Sequence, residues 1–153
     1  MRVGNAAMVV GSEHNHLEIN TILLYTREVM AKILLIEDDP HALEMLRFRF
    51  NKAGYEVVEA LDGDDGLMKA LRQPDLIFLD VRIPKIDGWE LCRTLKSEPR
   101  TRHIPIVMLT GCAQPVQAEY GKACGADAYL TKPWDPKELM SVARRLLSPK
   151  PEA

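Results

Sequence analysis

Polar side chains capable of chemistry stand at the ends of four short apolar runs in this 153-residue sequence. Runs of four or five aliphatic residues are typical of strands that are buried on both faces of a parallel sheet. The carboxyl ends of such strands meet at one edge of the sheet, where α/β proteins bind their ligands. The set expected to converge there contains three carboxylates, one hydroxyl and one ammonium group: Glu37, Asp38, Asp80, Thr110 and Lys132.

Three clustered carboxylates need a compensating charge, because each pair at ~5 Å repels by about 3 kcal/mol at an effective dielectric near ~20. Lys132 offsets part of this repulsion, and a hard divalent cation offsets it better. Carboxylates, a backbone carbonyl and waters suit Mg²⁺. A carboxylate beside such cations can attack a phosphoryl group and form an aspartyl phosphate, with Thr110 donating to a phosphoryl oxygen. These residue types therefore favour phosphoryl transfer to Asp80.

The elements that must position this set alternate regularly between strand and helix. Helix starts are marked by acidic caps, by proline in the first turn, and by the capping-box pair Asp87 and Glu90. Five strand–helix repeats predict an α/β, doubly wound (βα)5 flavodoxin-like fold, with a parallel five-stranded sheet of order 2-1-3-4-5. The predicted strands are 32–36, 55–60, 76–80, 105–109 and 127–131, and the predicted helices are 40–52, 62–72, 87–98, 115–124 and 135–147.

Within these elements the polar motifs resemble the receiver domain of two-component response regulators. The resemblance spans about residues 31–147, and its motifs come in the family's order and spacing. Each motif alone would be weak, whereas the whole series is specific. The matching segments are Leu35–Pro40, Leu79–Pro84 with Asp87-Gly88, Leu109–Gly111, and Gly125–Asp127 continuing through Tyr129–Pro133.

The resemblance implies that Asp80 is the phosphoacceptor and that it receives its phosphoryl group from a sensor histidine kinase. It implies that Mg²⁺ is bound directly by Asp38 and Asp80 and through water by Glu37. The backbone carbonyl of Arg82 would be the third protein ligand. Asp39 lies one place beyond the family's acidic pair and is predicted to cap a helix instead.

The resemblance also implies a switch pair, Thr110 and Tyr129, and a phosphate-binding lysine, Lys132, followed by a cis Lys132–Pro133 bond. Arg82 and Cys112 occupy positions that flank the path of the hydrolytic water in the family. Many members carry Met where this chain has Arg82, so the resemblance leaves the lifetime of the phosphoryl group open.

Three functions are possible for a protein with this fold and this arrangement of residues. A flavin carrier of the same fold needs a Gly/Ser/Thr-rich phosphate loop, where this chain has Glu37-Asp38-Asp39-Pro40. An aspartyl phosphatase usually has a second Asp two residues after its nucleophile, where this chain has Arg82. The favoured function is a stand-alone receiver, an enzyme only toward its own phosphorylation and dephosphorylation. It would signal by docking to a protein target or relay phosphate to a histidine phosphotransfer domain.

Composition limits the partners and the cellular compartment that are expected for this domain. A formal net charge of −2 provides no general field toward nucleic acid or anionic membranes, and the apolar runs are too short to insert into a bilayer. Three cysteines without metal-ligand spacing, Cys92, Cys112 and Cys124, predict reduced thiols in a cytoplasm. We predict a receiver domain over 30–149 and a tail over 150–153. Residues 1–29 would be an extension, either poorly ordered or upstream of a true start at Met30.

Overall fold

The computed structural model describes residues 31–111 and 123–149, which form alternating strands and helices. The N-terminal extension, the tail and residues 115–122 of the predicted fourth helix lie outside the described residues. The strands are β1 Lys32–Ile36, β2 Glu56–Ala60, β3 Leu76–Asp80, β4 Ile106–Thr110 and β5 Ala128–Thr131. The described helices are α1 Pro40–Lys52, α2 Gly63–Ala70, α3 Gly88–Ser97 and α4 Pro136–Leu147.

The five strands form one parallel sheet in the order β2-β1-β3-β4-β5, which confirms the predicted fold and topology. Boundaries agree to within one residue for the strands, whereas α2 is shorter than its predicted span of 62–72. Within the described ranges, none of the helices has the length and hydropathy needed to cross a membrane.

Aspartate caps the N-terminus of every helix in the described ranges. The carboxylates of Asp39, Asp62, Asp87 and Asp135 each accept a hydrogen bond from a backbone N–H two or three residues later. This satisfies an N–H that has no partner within the helix, and it places negative charge at the positive end of the helix dipole. Asp39 accepts from the N–H of His41 at 3.2 Å, so the prediction that it caps a helix is confirmed.

The sheet is covered by apolar side chains on both faces, which is why its strands are apolar throughout. Alternate residues of β1 enter opposite layers: Leu34 and Ile36 pack with α3, whereas Ile33 and Leu35 pack with α1 and α4. All four side chains are fully buried. Each contributes about 1.5–3 kcal/mol by leaving water. The strand ends that carry the polar residues are therefore anchored in a rigid core.

The buried face of α2 does not contain the large apolar residues of this helix. Of Leu67, Met68 and Leu71, Met68 is 61% exposed and the two leucines are only partly buried. A Cβ on Gly66 would lie only 2.8 Å from Ile36 Cδ1, so this helix packs too close to β1 for large side chains. The residues of α2 that are buried are small: Gly63, Gly66 and Ala70.

The sequence pattern predicts that Leu139, Val142, Leu146 and Leu147 form the buried stripe of the last helix, and the observed stripe is narrower. Leu139 is buried as expected, but the other buried position of α4 is Ala143, which the sequence pattern did not single out. The predicted core residues Val142, Leu146 and Leu147 are partly buried and pack at the edge of the core.

Gly88 fixes α3 against the strand end that carries Asp80. A Cβ at this position would lie 2.7 Å from Val81 Cα and would clash with the backbone oxygen of Asp80. Backbone atoms cannot move aside cheaply, so we expect Gly88→Ala to lower the free energy of unfolding by about 1–3 kcal/mol. Gly111→Ala is the matched control, since within 31–111 and 123–149 no atom lies within 4 Å of its added Cβ. Urea denaturation measures both variants, and equal midpoints would contradict this packing.

Candidate functional site

An open cavity of about 340 Å³ lies at the carboxyl edge of the sheet. It brings together six of the seven residues that the sequence singled out, and Tyr129 is the exception. Tyr129 lies on β5, 42% exposed, away from the cavity lining. The lining residues are Glu37, Asp38, Asp39, Asp80, Val81, Arg82, Thr110, Gly111 and Lys132.

The parallel ladder extends past the strand ends and fixes the backbone around the cavity. The N–H of Val81 donates to the carbonyl of Leu109 at 3.0 Å, and the N–H of Lys132 donates to the carbonyl of Thr110 at 2.7 Å. These bonds hold the residues that follow β3 and β5 in register with β4. Residues distant in sequence are therefore presented side by side by the main chain itself.

The Lys132 ammonium bridges the two buried carboxylates of the cavity. Its Nζ donates to Glu37 Oε1 at 3.0 Å and to Asp80 Oδ2. Glu37 is fully buried and Asp80 is 5% exposed, so neither charge is well solvated by water. The same ammonium lies 5.6 Å from the centroid of the Trp134 ring, a cation–π contact that we had not predicted. In the sequence, this contact is indicated only by a lysine that lies two residues before a tryptophan.

Both oxygens of Asp80 accept hydrogen bonds from fixed donors. Oδ1 accepts from the backbone N–H of Arg82 at 2.7 Å, and Oδ2 accepts from Lys132. Burial works to raise the pKa of Asp80, but hydrogen bonds with Glu37, Lys132 and the Arg82 N–H outweigh it and lower that pKa. Asp80 is therefore an oriented, ionised carboxylate, the form that acts as a nucleophile.

Glu37 behaves in the opposite way. Burial, together with the nearby Asp80, raises the pKa of its carboxyl to about 8, although Lys132 opposes the rise. Oε2 of Glu37 is buried and receives no hydrogen bond from any of the described residues. The environments of the neighbouring carboxyls therefore differ, since the pKa of Glu37 is raised and the pKa of Asp80 is lowered. For Lys132, burial is outweighed by the bonds to Asp80 and Glu37, and its pKa is raised.

The donor set fits a hydrated Mg²⁺ ion. Glu37, Asp38 and Asp80 supply hard oxygen ligands, the cavity has room for waters, and the unpartnered Glu37 Oε2 is a buried oxygen that needs a partner. Over 31–111 and 123–149, no three His, Cys, Asp or Glu side chains are already gathered as a metal cluster. The set therefore fits a weakly held cation that keeps much of its water shell. The metal-binding roles of these residues stay predictions.

The predicted switch residues lie on adjacent strands at different depths. Thr110, at the end of β4, is 2% exposed, whereas Tyr129 on β5 pairs in register with Met108, two residues earlier on β4. Their roles stay predictions. The Lys132–Pro133 peptide bond is cis, which confirms that expectation.

Comparison with known proteins identifies one family. The sequence model described as the response regulator receiver domain matches residues 33–144. Among curated proteins, the chain is 43% identical over 119 residues to the DNA-binding dual master transcriptional regulator RpaA of Synechocystis sp. The match covers 77% of this chain and 49% of that protein. The chain spans about half the length of the curated relatives it matches first.

Solved structures show the same likeness. The chemotaxis protein CheY4 of Vibrio cholerae superposes with a TM-score of 0.72 at 35% identity, over 77% of this chain and 99% of that one. The receiver domain of the sensor histidine kinase PA1611 from Pseudomonas aeruginosa has a TM-score of 0.72 at 31% identity. That match covers 77% of this chain and 98% of that one. The PA1611 structure has a magnesium ion coordinated in its active-site cleft.

Proposed function

The chain belongs to the response regulator receiver domain family, and on that premise we propose that it accepts a phosphoryl group on Asp80 from a histidine kinase. Receiver domains of this family are signalling modules that interact with histidine kinases. The observation that carries the proposal is the Lys132 ammonium held between the buried carboxylates of Asp80 and Glu37. We place the receiver domain at residues 30–149.

The chain's own residues supply most of the transfer chemistry. Asp80 attacks phosphorus while the bond from phosphorus to the donor histidine nitrogen breaks, and the released imidazole leaves with a proton. The N–H of Arg82 holds one carboxylate oxygen of Asp80 in place during the attack. Lys132 neutralises charge on the phosphoryl oxygens, and Thr110 is positioned in the cavity lining to donate a hydrogen bond to one of them.

Mg²⁺ is the proposed cofactor, held by Asp38 and Asp80, by Glu37 through water and by the Arg82 carbonyl. When bound, it neutralises negative charge and orients the phosphoryl group. Glu37 must release its proton to serve as an anionic partner, so binding strengthens as pH rises. Support comes from the unpartnered Glu37 Oε2 and from the magnesium ion in the cleft of the PA1611 receiver domain.

Substitution of the acidic triplet tests the metal site. We expect Asp38→Ala to weaken Mg²⁺ binding by about 10-fold or more, because it removes a direct ligand. Asp39→Ala is the matched control: it removes a neighbouring carboxylate that lines the same cavity but caps α1. Trp134 lies beside Lys132, so its fluorescence in a Mg²⁺ titration is a suitable readout. Equal weakening in both variants would show that the acidic pair is placed one residue off.

The direct test of phosphoryl acceptance uses the full chain and acetyl phosphate. We expect Mg²⁺-dependent incorporation of a label that is released by hydroxylamine, as an acyl phosphate is. No incorporation from acetyl phosphate or from any histidine kinase of the host would contradict the proposal. Profiling those kinases would also identify the cognate donor.

Two outputs remain candidates for the phosphorylated domain. It docks to a protein target, or it relays the phosphoryl group to a histidine phosphotransfer domain. The match covers about half of RpaA, which is a DNA-binding regulator, so an activity of the whole protein is a proposal. We propose no direct nucleic-acid contact by the receiver domain itself and no catalysis beyond its own phosphorylation and dephosphorylation.

Its unbridged thiols Cys92 and Cys124 favour a cytoplasmic location.

We propose that the signal leaves the site through the segment between β4 and Lys132. Phosphorylation adds about −1.5 to −2 charges and three acceptor oxygens at Asp80. Thr110 moves toward them, and Tyr129, exposed on the adjacent strand, turns inward into the vacated space. The partner surface would include the helix predicted over 115–124, the Tyr129 strand and the exposed basic residues of α4: Lys137, Arg144 and Arg145.

Amide hydrogen exchange with and without beryllofluoride, a phosphoryl mimic, measures this movement. We expect changes in protection to concentrate between Gly111 and Lys132, since the new charge biases that segment directly. Changes confined to the neighbourhood of Asp80 and Glu37, or to residues 62–72, would show that the proposed output surface is wrong.

A further inference from the structure

Two cysteines form a contact pair in the core layer that includes α3. Cys92 lies on α3, and Cys124 lies 32 residues later in the sequence, shortly before β5. Cys92 Sγ donates a hydrogen bond to the backbone oxygen of Cys124, at a distance of 3.6 Å. Both side chains are buried in one core cluster with Leu91 and Met108. The phosphoryl chemistry proposed above uses neither thiol.

Contacts between α3 and the segment that carries Cys124 continue one helical turn beyond this pair. One turn after Cys92, Lys96 Nζ forms an ion pair with Asp127 Oδ2 at 2.8 Å. A Cβ on Gly125 would lie 3.3 Å from Lys96 Cγ. Two positions of α3 that are one turn apart, Cys92 and Lys96, therefore contact the segment that leads into β5. A disulfide between the thiols would join elements that are already in contact.

The two thiols are electrostatically unequal. The neighbouring Cys92 thiol lowers the pKa of the Cys124 thiol, against the effect of burial. The neighbouring Cys124 thiol and burial raise the pKa of Cys92. Cys124 is also the less buried of the two, at 2% exposure against 0% for Cys92, so we assign it as the thiol that reacts first. Its chain neighbours Ala123 and Gly125 are exposed, so a small oxidant has to penetrate only one residue below the surface.

We propose that Cys92 and Cys124 are a reversible oxidation site, which hydrogen peroxide converts into an intramolecular disulfide that ties α3 to the start of β5. The Cys124 thiolate attacks one peroxide oxygen, the O–O bond breaks, and hydroxide leaves and takes up a proton to form water. The Cys92 thiol then attacks the sulfur of the resulting sulfenic acid. The S–O bond breaks, and a second water leaves with the Cys92 proton. The two sulfurs lose two electrons, which reduce the peroxide to water.

This tether would act on the segment through which we propose that the signal leaves. Tyr129 and Lys132 follow Cys124 in the chain, so a covalent bond to α3 would restrain their movement. Transient disulfides of this kind occur in reducing compartments as redox sensors. This consequence rests on the proposed function, whereas formation of the disulfide does not, so the two are tested separately.

Peptide mapping of the unaltered full chain tests the site. The protein is treated with graded hydrogen peroxide under native conditions, free thiols are alkylated, and an unreduced digest is analysed by mass spectrometry. We expect the loss of two of the three thiols and a cross-linked peptide pair containing Cys92 and Cys124, lighter by two hydrogen atoms. Dithiothreitol should restore both thiols.

Cysteine variants supply the controls. Cys112→Ser should leave the cross-link unchanged, whereas Cys92→Ala or Cys124→Ala should abolish it and leave the remaining partner thiol free. The mapping of the unaltered protein keeps the test valid if a core variant fails to fold. The proposal is overturned if peroxide oxidises only Cys112, or if the cross-links join Cys112 or two copies of the chain. These results do not depend on whether Asp80 accepts phosphate.

Discussion

Asp80→Asn is expected to reduce phosphoryl incorporation to background, both from acetyl phosphate and from the cognate histidine kinase. The amide is nearly isosteric with the carboxylate but lacks the anionic oxygen that attacks phosphorus. The Arg82 N–H and Lys132 can still contact it, so the pocket should keep its shape. Incorporation of a hydroxylamine-sensitive label measures the effect.

The matched control for this variant is Asp39→Asn. It makes the same chemical change in the same cavity, and asparagine caps a helix as well as aspartate does. The control should label as the unaltered protein does. Full labelling of Asp80→Asn would show that the nucleophile has been assigned to the wrong residue.

Lys132→Ala is expected to slow phosphorylation by about 10²-fold or more, the usual effect of removing a preorganised group that stabilises charge in the transition state. Lys132 is the cation that contacts both Asp80 and Glu37. The initial rate of label incorporation at saturating Mg²⁺ measures the loss. Lys137→Ala, which removes an exposed charge at the start of α4, should leave the rate unchanged.

A second substitution separates charge from hydrogen bonding at this position. Lys132→Gln keeps an N–H donor but removes the charge, so it should be nearly as slow as Lys132→Ala if charge neutralisation dominates. Circular dichroism excludes unfolding as the cause, because two buried carboxylates lose their partner in either variant. A rate for Lys132→Ala within about twofold of the unaltered protein would remove Lys132 from the proposed transition state, since it corresponds to less than about 0.5 kcal/mol.

Sequence alone predicted the sheet and most of the cavity because those signals are local. Short apolar runs mark strands buried on both faces, and an aspartate followed by proline marks a helix start, as at Asp39 and Asp135. Once the strand order is fixed, the residues after each strand must meet at one edge. Glu37, Asp80 and Lys132 were therefore placed together without coordinates.

Features that depend on the distance between elements were not predicted. The buried face of α2 is made of small residues because Ile36 lies directly beneath Gly66. A sequence pattern identifies a buried helix face by its large apolar residues, so it does not detect a face made of small ones. The contact of Cys92 with Cys124 requires the packing of α3 beside β4, which spacing along the chain does not reveal. The family motif predicts that Tyr129 and Thr110 form a switch pair. It does not predict how exposed Tyr129 is, because exposure depends on the orientation of the side chain.

The measurement that tests the central claim most directly is chemical localisation of the phosphoryl group. The full chain is phosphorylated by acetyl phosphate with Mg²⁺ and reduced with borohydride, which converts an aspartyl phosphate into homoserine. The digest is then sequenced by tandem mass spectrometry. We predict homoserine at position 80, in the peptide that carries β3, and aspartate at Asp38 and Asp39. Homoserine at another position, or labelled protein with aspartate intact at position 80, would contradict the assignment of Asp80 as the phosphoacceptor.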